Sequence, residues 1–391
     1  MSNNFDAIII GGGIIGCSTA FQLAGRGLKV ALLEKENIGS GGTGKSSAII
    51  RQHYSNELTA RMAKYSLEIF QRFDELVGGE CGFSADGFVA LVAEKDQAGL
   101  EANIALQQKV GIKTELLDKD ELLALMPGLE TSDLVAGAYE PEGGHADPYL
   151  TVTAYAAAAR RLGATIVQDC PVTAIQFTDG RVSGVTTPKG EFNAPLLLNS
   201  SGAWGAQVAR LAGLELPINS CRVQVAFLRR PAGQEAVHPV VADFINATYF
   251  RSETGALTLM GVVDPSEAEA IVDPDNFKEY VDDEFILETG EQVIRRYPAL
   301  EQGESRGGYA SLYAITPDWH PIIDELPAGS GFFTASGFSG HGFKLGPAMG
   351  LMIADMMTGV KDPLFDPHMF RASRFAEGDE VRGQYEYSIA G

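Results

Sequence analysis

Along this chain, short runs of apolar residues alternate with longer stretches of helical period, the pattern of strands feeding helices. Phe5-Asp-Ala-Ile-Ile-Ile10 reads as a buried parallel strand, being short, apolar and rich in β-branched residues. It runs into Gly11-Gly-Gly13-Ile-Ile-Gly16, a helical stretch from Cys17 to Gly25, and a second apolar strand, 29–33, that ends on Glu34. Another helix is expected after Ser55 or Asn56, either a good N-cap, because Leu58, Met62, Tyr65, Ile69, Phe73 and Leu76 follow a helical period. Farther along, a helix over 148–162 precedes strands at 164–168, 172–177 and 182–187. Pro195-Leu-Leu-Leu-Asn-Ser-Ser-Gly202-Ala-Trp204 then brings a further buried strand to a glycine turn. The expected fold class is α/β with mixed α+β character.

The first strand, turn, helix, second strand and acid fall in register as a dinucleotide-binding unit. Gly11 permits the tight turn, Gly13 lets a pyrophosphate approach the backbone, and Gly16 lets helix and strand pack closely. The helix N-terminus, with Ile14 and Ile15, supplies N–H donors and the positive end of a dipole. Glu34 stands where a carboxylate can accept both ribose hydroxyls and would repel a 2′-phosphate. The fingerprint alone admits NAD or FAD; its place at the extreme N-terminus favours FAD. A second glycine run, Gly39-Ser-Gly-Gly-Thr-Gly44-Lys45-Ser46, matches the spacing of a phosphate-binding P-loop. That motif needs a strand directly before it and a helix starting at its lysine. Here Lys35-Glu-Asn-Ile38 intervenes and 47–54 looks extended, so the run is expected instead to let backbone pass close to the cofactor.

Composition narrows the picture. A length of 391 residues predicts two domains around substantial cores. The 45 glycines cluster at 11–16, 39–44 and 337–350, places where backbone comes close to a ligand. A net charge of −21 argues against nucleic acid and anionic membrane surfaces as partners. Cys17, Cys81, Cys170 and Cys221 stand far apart and predict reduced core residues, and six scattered histidines show no metal-ligand spacing. The opening Met1-Ser-Asn-Asn-Phe5 lacks the basic region of a signal peptide, and no apolar run reaches membrane-spanning length, so a cytoplasmic location is expected.

The fingerprint, Ile49-Ile-Arg51, Gly143-Gly-His-Ala-Asp-Pro148 and Gly337-Phe-Ser-Gly-His-Gly-Phe-Lys344 together resemble the D-amino-acid-oxidase superfamily. Within it the chain is most similar to the sarcosine oxidase and dimethylglycine dehydrogenase branch, β-subunit type, and Val182-Ser-Gly-Val-Thr and Leu211-Ala-Gly-Leu-Glu-Leu-Pro217 share that likeness. The resemblance spans essentially the whole chain. It implies a Rossmann-like FAD-binding domain, discontinuous over 1–80, 146–215 and 301–391, interleaved with a β-sheet-rich substrate domain over 81–145 and 216–300. It also implies transfer of a hydride to flavin from the carbon beside an amine, giving an imine that hydrolyses.

On the same basis Arg51 and Lys344 clamp a substrate carboxylate, with Tyr313, and less firmly Tyr249, facing the substrate. The expected FAD contacts are Gly11, Gly13, Ile14, Ile15, Gly16, Glu34, Lys35, Gly42, Thr43, Ser46, Ser47, Val172, Ser201, Gly202, Trp204, Gly340, His341, Gly342, Phe343 and Lys344. Lys344, just before Pro347, suits the first turn of a helix running to Met357. Asp147, ahead of Pro148, is expected to cap a helix. Departures from the pattern shape further expectations. Ser311 replaces the cysteine that tethers flavin in monomeric sarcosine oxidases, and Lys45 or Ser46 falls near the histidine tether of dimethylglycine dehydrogenases, so FAD is expected to be non-covalent. Thr258 falls where the monomeric enzymes carry an oxygen-activating lysine, and Ala48 replaces an arginine. The expected acceptor is therefore O2 or an electron-accepting protein, and a partner subunit is compatible with the pattern. Glycine or D-amino acids as substrates, and a non-catalytic flavin-binding assembly or electron-transfer subunit, stay open as alternatives.

Overall fold

The computed structural model describes residues 3–383. Its first sheet has six strands in the order Ile322–Glu325, Phe332–Ser336, Leu196–Asn199, Ala7–Ile10, Val30–Leu33 and Thr165–Val167. All neighbours are parallel except Ile322–Glu325, which runs antiparallel at the edge. The central strands are buried along their whole length, which is why they read as unbroken apolar runs rather than alternating ones.

One face of this sheet is covered by the helices Ile14–Gly25, Pro148–Arg161 and Gly342–Met357. The other packs against a small antiparallel sheet of Ala174–Thr178, Arg181–Thr187 and Gly190–Asn193, through Ile8, Leu33, Val185 and Phe192. Glycine sets how closely the long helices approach: a Cβ on Gly346 would lie 2.4 Å from Ile14, and one on Gly350 2.5 Å from Ser18. The helix expected from Cys17 begins at Ile14, because Gly13 is its N-cap. The last long helix begins at Gly342, so Lys344 does lie in its first turn, while Pro347 sits inside the helix. The helix expected after Ser55 or Asn56 runs over Glu57–Gln71, with Asn56 accepting from the Thr59 N–H. Asp147 caps Pro148–Arg161, accepting from the Tyr149 and Leu150 N–H groups. No helix starts at Lys45, and the glycine run 39–45 is a chain of turns, so the P-loop geometry is absent.

The second sheet has eight strands in the order Glu304–Ile315, Asn219–Arg229, Leu257–Val262, Thr248–Glu253, Val240–Asp243, Phe88–Val92, Ala136–Glu140 and Glu115–Leu117. Glu304–Ile315, expected to go with the nucleotide-binding part, instead completes this sheet. The Asp283–Arg296 helix covers one face, packing Val293 on Val241, Phe250 and Met260. Buried Arg296 ties that helix down through ion pairs to Asp243 at 2.7 Å and Asp133 at 2.8 Å. On the opposite face Val225, Tyr249 and Leu259 form a cluster against Ile49. Strand alternation therefore turns Thr258 toward the helix-covered face, where it is fully buried 3.4 Å from His238 Nε2. Thr258 therefore points away from the face that carries Tyr249 and Leu259, and neither it nor its strand neighbours line the cavity described below. A short antiparallel pair, Ile49–Ile50 with Gly144–His145, joins the loop after the glycine run to the larger sheet. Among the described residues no helix is long and apolar enough to cross a membrane.

Candidate functional site

A cavity of about 480 Å³ opens at the carboxyl ends of the parallel strands, lined by Ile10, Leu33 and Ser200. Ligands bind at that crevice in open α/β sheets because helix N-termini and glycine turns converge there. Gly11 has φ +107, and a Cβ on it would meet the Ser200 carbonyl oxygen at 2.5 Å. Gly13 caps the first helix with no side chain to accept its leading N–H groups, so they are open to an anionic group, although Ile14 N–H donates to Thr43 Oγ1 at 3.0 Å. Glu34 lines the cavity with its oxygens held by backbone: Oε2 accepts from Gly12 N–H at 2.7 Å and Oε1 from Glu36 N–H at 2.8 Å. A long cleft with a glycine-lined helix terminus at its centre and a carboxylate at one end fits a dinucleotide such as FAD.

Of the residues expected at the cofactor, Gly11, Gly13, Ile14, Ile15, Glu34, Lys35, Gly42, Thr43, Ser46, Val172, Ser201, Gly202, Trp204, Gly340, Gly342 and Phe343 line this cavity. Gly16, Ser47, His341 and Lys344 do not. Gly16 serves packing instead, since a Cβ there would meet the Gly11 carbonyl oxygen at 2.0 Å. Ser47 turns its carbonyl toward the larger sheet, where it accepts from Arg251 Nε at 2.7 Å. His341 is buried, with Nδ1 3.2 Å from the Tyr54 hydroxyl and its ring stacked on His320. Burial above all, then the charges of Lys344 and Arg51, holds its imidazole well below the ordinary value.

Several wall residues escaped the sequence reading. Asp275 is the most informative: its Oδ1 accepts from Lys35 Nζ at 2.7 Å and from Trp204 Nε1 at 2.8 Å, while Lys35 lies 4.1 Å above the Trp204 ring. Glu279, four residues on, pairs with Lys45 at 2.7 Å. A segment far away in sequence thus closes the outer edge of the cavity, and no local motif announces it. Cys170, Leu312 and Phe338 also line the wall, and all four cysteines are buried.

The residues expected at the substrate divide. Tyr313 lines the cavity, packed so closely on Gly340 that a Cβ there would sit 2.9 Å from its ring. Tyr249 lies in the Val225–Leu259 cluster, and neither Arg51 nor Lys344 is among the residues lining the cavity. Lys344 is 9% exposed, and its Nζ donates to the Gly340 carbonyl oxygen at 3.4 Å, which ties it to that wall. Arg51 follows the Ile49–Ile50 strand; it donates to the His53 carbonyl oxygen and lies 4.5 Å above the Tyr54 ring. Burial first, then the Arg51 charge, pushes the Lys344 ammonium well below its ordinary value. Among the described residues neither cation has a carboxylate within ion-pairing distance.

Proteins of similar sequence and fold are known. Human mitochondrial sarcosine dehydrogenase is 29% identical over 380 residues, which cover 95% of this chain and 41% of that protein. The chain therefore spans less than half the length of that relative. The sarcosine oxidase subunit beta of Rhodobacter capsulatus is 24% identical, over 97% of this chain and 92% of its own. The crystal structure of L-proline dehydrogenase from P. horikoshii superposes with a TM-score of 0.89 at 28% identity, covering 98% of this chain and all of that one. With residues 6–356 matching the family's pattern throughout, the chain belongs to the DAO family of FAD-dependent oxidoreductases.

Proposed function

We propose that this protein oxidises a small amino acid carrying a secondary amine, sarcosine-like, at the end of the cavity walled by Tyr313 and Gly340. The observation that carries the reading is the pair Arg51 and Lys344: two cations, held by backbone carbonyl oxygens and aromatic contact, with no carboxylate partner among the described residues. Cations placed together in a half-buried site repel each other, and a ligand carboxylate relieves that repulsion. An arginine fork and a lysine point charge suit one carboxylate. Sarcosine and proline, named in two of the similar proteins, share a secondary amine beside a carboxylate, which favours that class over primary amines.

FAD held along the cavity by Gly13, Ile14, Glu34 and Ser201 would supply an acceptor for the hydride on the carbon next to the amine, leaving an imine open to hydrolysis. The chain's own residues bind and orient. Arg51 and Lys344 hold the carboxylate, Tyr313 walls the carbon side, and Phe338 and Phe343 exclude water. Ser311, in place of a tethering cysteine, supports non-covalent FAD, and acid precipitation is expected to release all flavin to the supernatant. Neither Leu257, Thr258 nor Leu259 offers a lysine to activate oxygen, which favours an electron-accepting protein over O2. The likeness to a subunit of sarcosine oxidase supports a partner subunit.

The test is anaerobic mixing of the holoprotein with sarcosine, dimethylglycine, L-proline, glycine and D-amino acids while flavin absorbance is recorded. Rapid bleaching by N-methylated or cyclic amino acids is expected, and admitting air then separates oxidase from dehydrogenase. Bleaching only by glycine or D-amino acids would move the substrate class. No bleaching by any of them would favour a non-catalytic flavoprotein.

A further inference from the structure

Against the turn that carries Arg51 lies a carboxylate that the proposed reaction does not use. Glu140, the last residue of the Ala136–Glu140 strand, is fully buried. The pairing of Ile49–Ile50 with Gly144–His145 brings the turn that carries Arg51 against it. Glu140 Oε2 accepts the Gln52 N–H at 2.7 Å, so it holds the backbone between Arg51 and His53. Its Oε1 accepts no hydrogen bond among the described residues and lies 4.0 Å from His53 Nδ1. A neutral amide would serve the Gln52 N–H equally well. The carboxylate adds a charge in a dry place, and that charge is costly unless something nearby balances it.

The surrounding groups define what can balance it. Arg51, His53 and Tyr54 face Glu140 from the turn, His53 in contact with Gln107 at 3.1 Å on the Gln97–Lys109 helix. Of the two neighbouring strands, Phe88–Val92 places Phe88 opposite Glu140 and carries no charge, and Glu115–Leu117 places Glu115 opposite Tyr139. Lys113 with Glu142, and His145 with Asp86, pair among themselves at the rim. Burial, reinforced by the Arg51 charge, pushes His53 down to about 3, so it stays neutral and cannot compensate. Arg51 is therefore the counter-charge that Glu140 has, and the same guanidinium is the one offered to the substrate.

We propose that Glu140 is a positioning residue of the carboxylate site: it holds the Arg51–Tyr54 turn through the Gln52 N–H, and it takes up a proton when a substrate carboxylate binds Arg51 and Lys344. This rests on the reading of those two cations as the substrate clamp. In the ligand-free site an ionised Glu140 offsets Arg51. A bound carboxylate takes over that role, leaves Glu140 uncompensated and repels it, so a proton from solvent goes to Glu140 and no bond to substrate forms. Burial places the Glu140 carboxyl at about 7, which sets the switch near neutrality. Carboxylate affinity is then highest below that value and declines as pH rises through it.

The experiment titrates the holoprotein with methoxyacetate, an isostere of an N-methyl amino acid without the oxidisable amine, by calorimetry from pH 6 to 8.5. Two buffers of different ionisation enthalpy report proton uptake. The wild type is expected to bind about tenfold more weakly at pH 8.5 than at pH 6 and to take up a proton near pH 7.5. Glu140→Gln keeps an acceptor for Gln52, and its binding is expected to lose most of both effects; what remains belongs to Lys344. Equal slopes and equal uptake in the two proteins would overturn the proposal while leaving the clamp intact. Absence of methoxyacetate binding to the wild type at pH 6 would overturn the clamp and this proposal together. Should Glu140→Gln not fold, infrared difference spectra of the wild type decide: the C=O stretch of a protonated carboxylic acid must grow on binding at pH 7.5, and its absence overturns the proposal.

Discussion

The cofactor cavity and the carboxylate end meet at Gly340 yet are built on opposite principles. The cavity is a backbone structure. Glycines clear space, a helix N-terminus faces inward, and the charges at its edge are already matched, Glu34 by backbone N–H groups, Lys35 by Asp275 and Lys45 by Glu279. The proposed carboxylate end is a side-chain structure in which, among the described residues, Arg51 and Lys344 have no carboxylate within ion-pairing distance and Glu140 is buried against the turn that carries Arg51. A site with internal charge balance can hold a large ligand by shape and N–H donors. A site with an unmatched charge selects a small ligand that supplies the missing sign.

The largest effect that would break this contrast is at Gly11. Gly11→Val forces a side chain into the Ser200 carbonyl and a φ that L-residues rarely adopt, and the purified protein is expected to be colourless, without FAD. Retention of flavin would show that the turn tolerates displacement. Next come Arg51→Met and Lys344→Met, expected to keep the flavin spectrum while weakening methoxyacetate about hundredfold each, the usual scale for losing one partner of a desolvated charge pair. Loss of flavin with carboxylate binding unchanged would merge the two regions into one.

A smaller effect concerns stability and pH. The folded Glu140 carboxyl sits at about 7 against an ordinary 4.5, so the folded protein holds a proton that the unfolded chain has released between those values. The contribution is fully present below about 4.5 and lost as pH rises through about 7, up to about 3 kcal/mol. Thermal melts are expected to show Glu140→Gln gaining on the wild type by a few degrees between pH 5.5 and 8.5; parallel curves would mean that Glu140 does not titrate in the folded state. The smallest effect is at the cavity edge. Asp275→Asn weakens an exposed pair and keeps an acceptor for Trp204, so FAD affinity should fall no more than about fivefold, and less in high salt.

Local signals carried the cofactor half because its parts lie within one strand–turn–helix–strand unit, where spacing and function coincide. The Asn56 and Asp147 caps follow the same local logic, whereas the helix expected from Cys17 begins three residues earlier, at Ile14. Errors arose where position depends on a neighbour far away in sequence. Thr258 was expected near the flavin, but strand alternation turns it to the helix-covered face beside His238. Glu304–Ile315 joined the other sheet because its partner is Asn219–Arg229, which nothing within the strand declares.

From residues alone came the glycine fingerprint, the acid after the second strand and the overall negative charge, since each depends on residue type and short spacing; the two candidate clamp residues came from the resemblance to a family. Tertiary structure decided that Asp275 closes the cavity, that Arg251 pins Ser47, and that Glu140 lies beneath Arg51. Those relations join positions up to 240 residues apart, as Lys35 and Asp275 are. What decides them is which faces are buried together, and so which charges are left to find each other out of water.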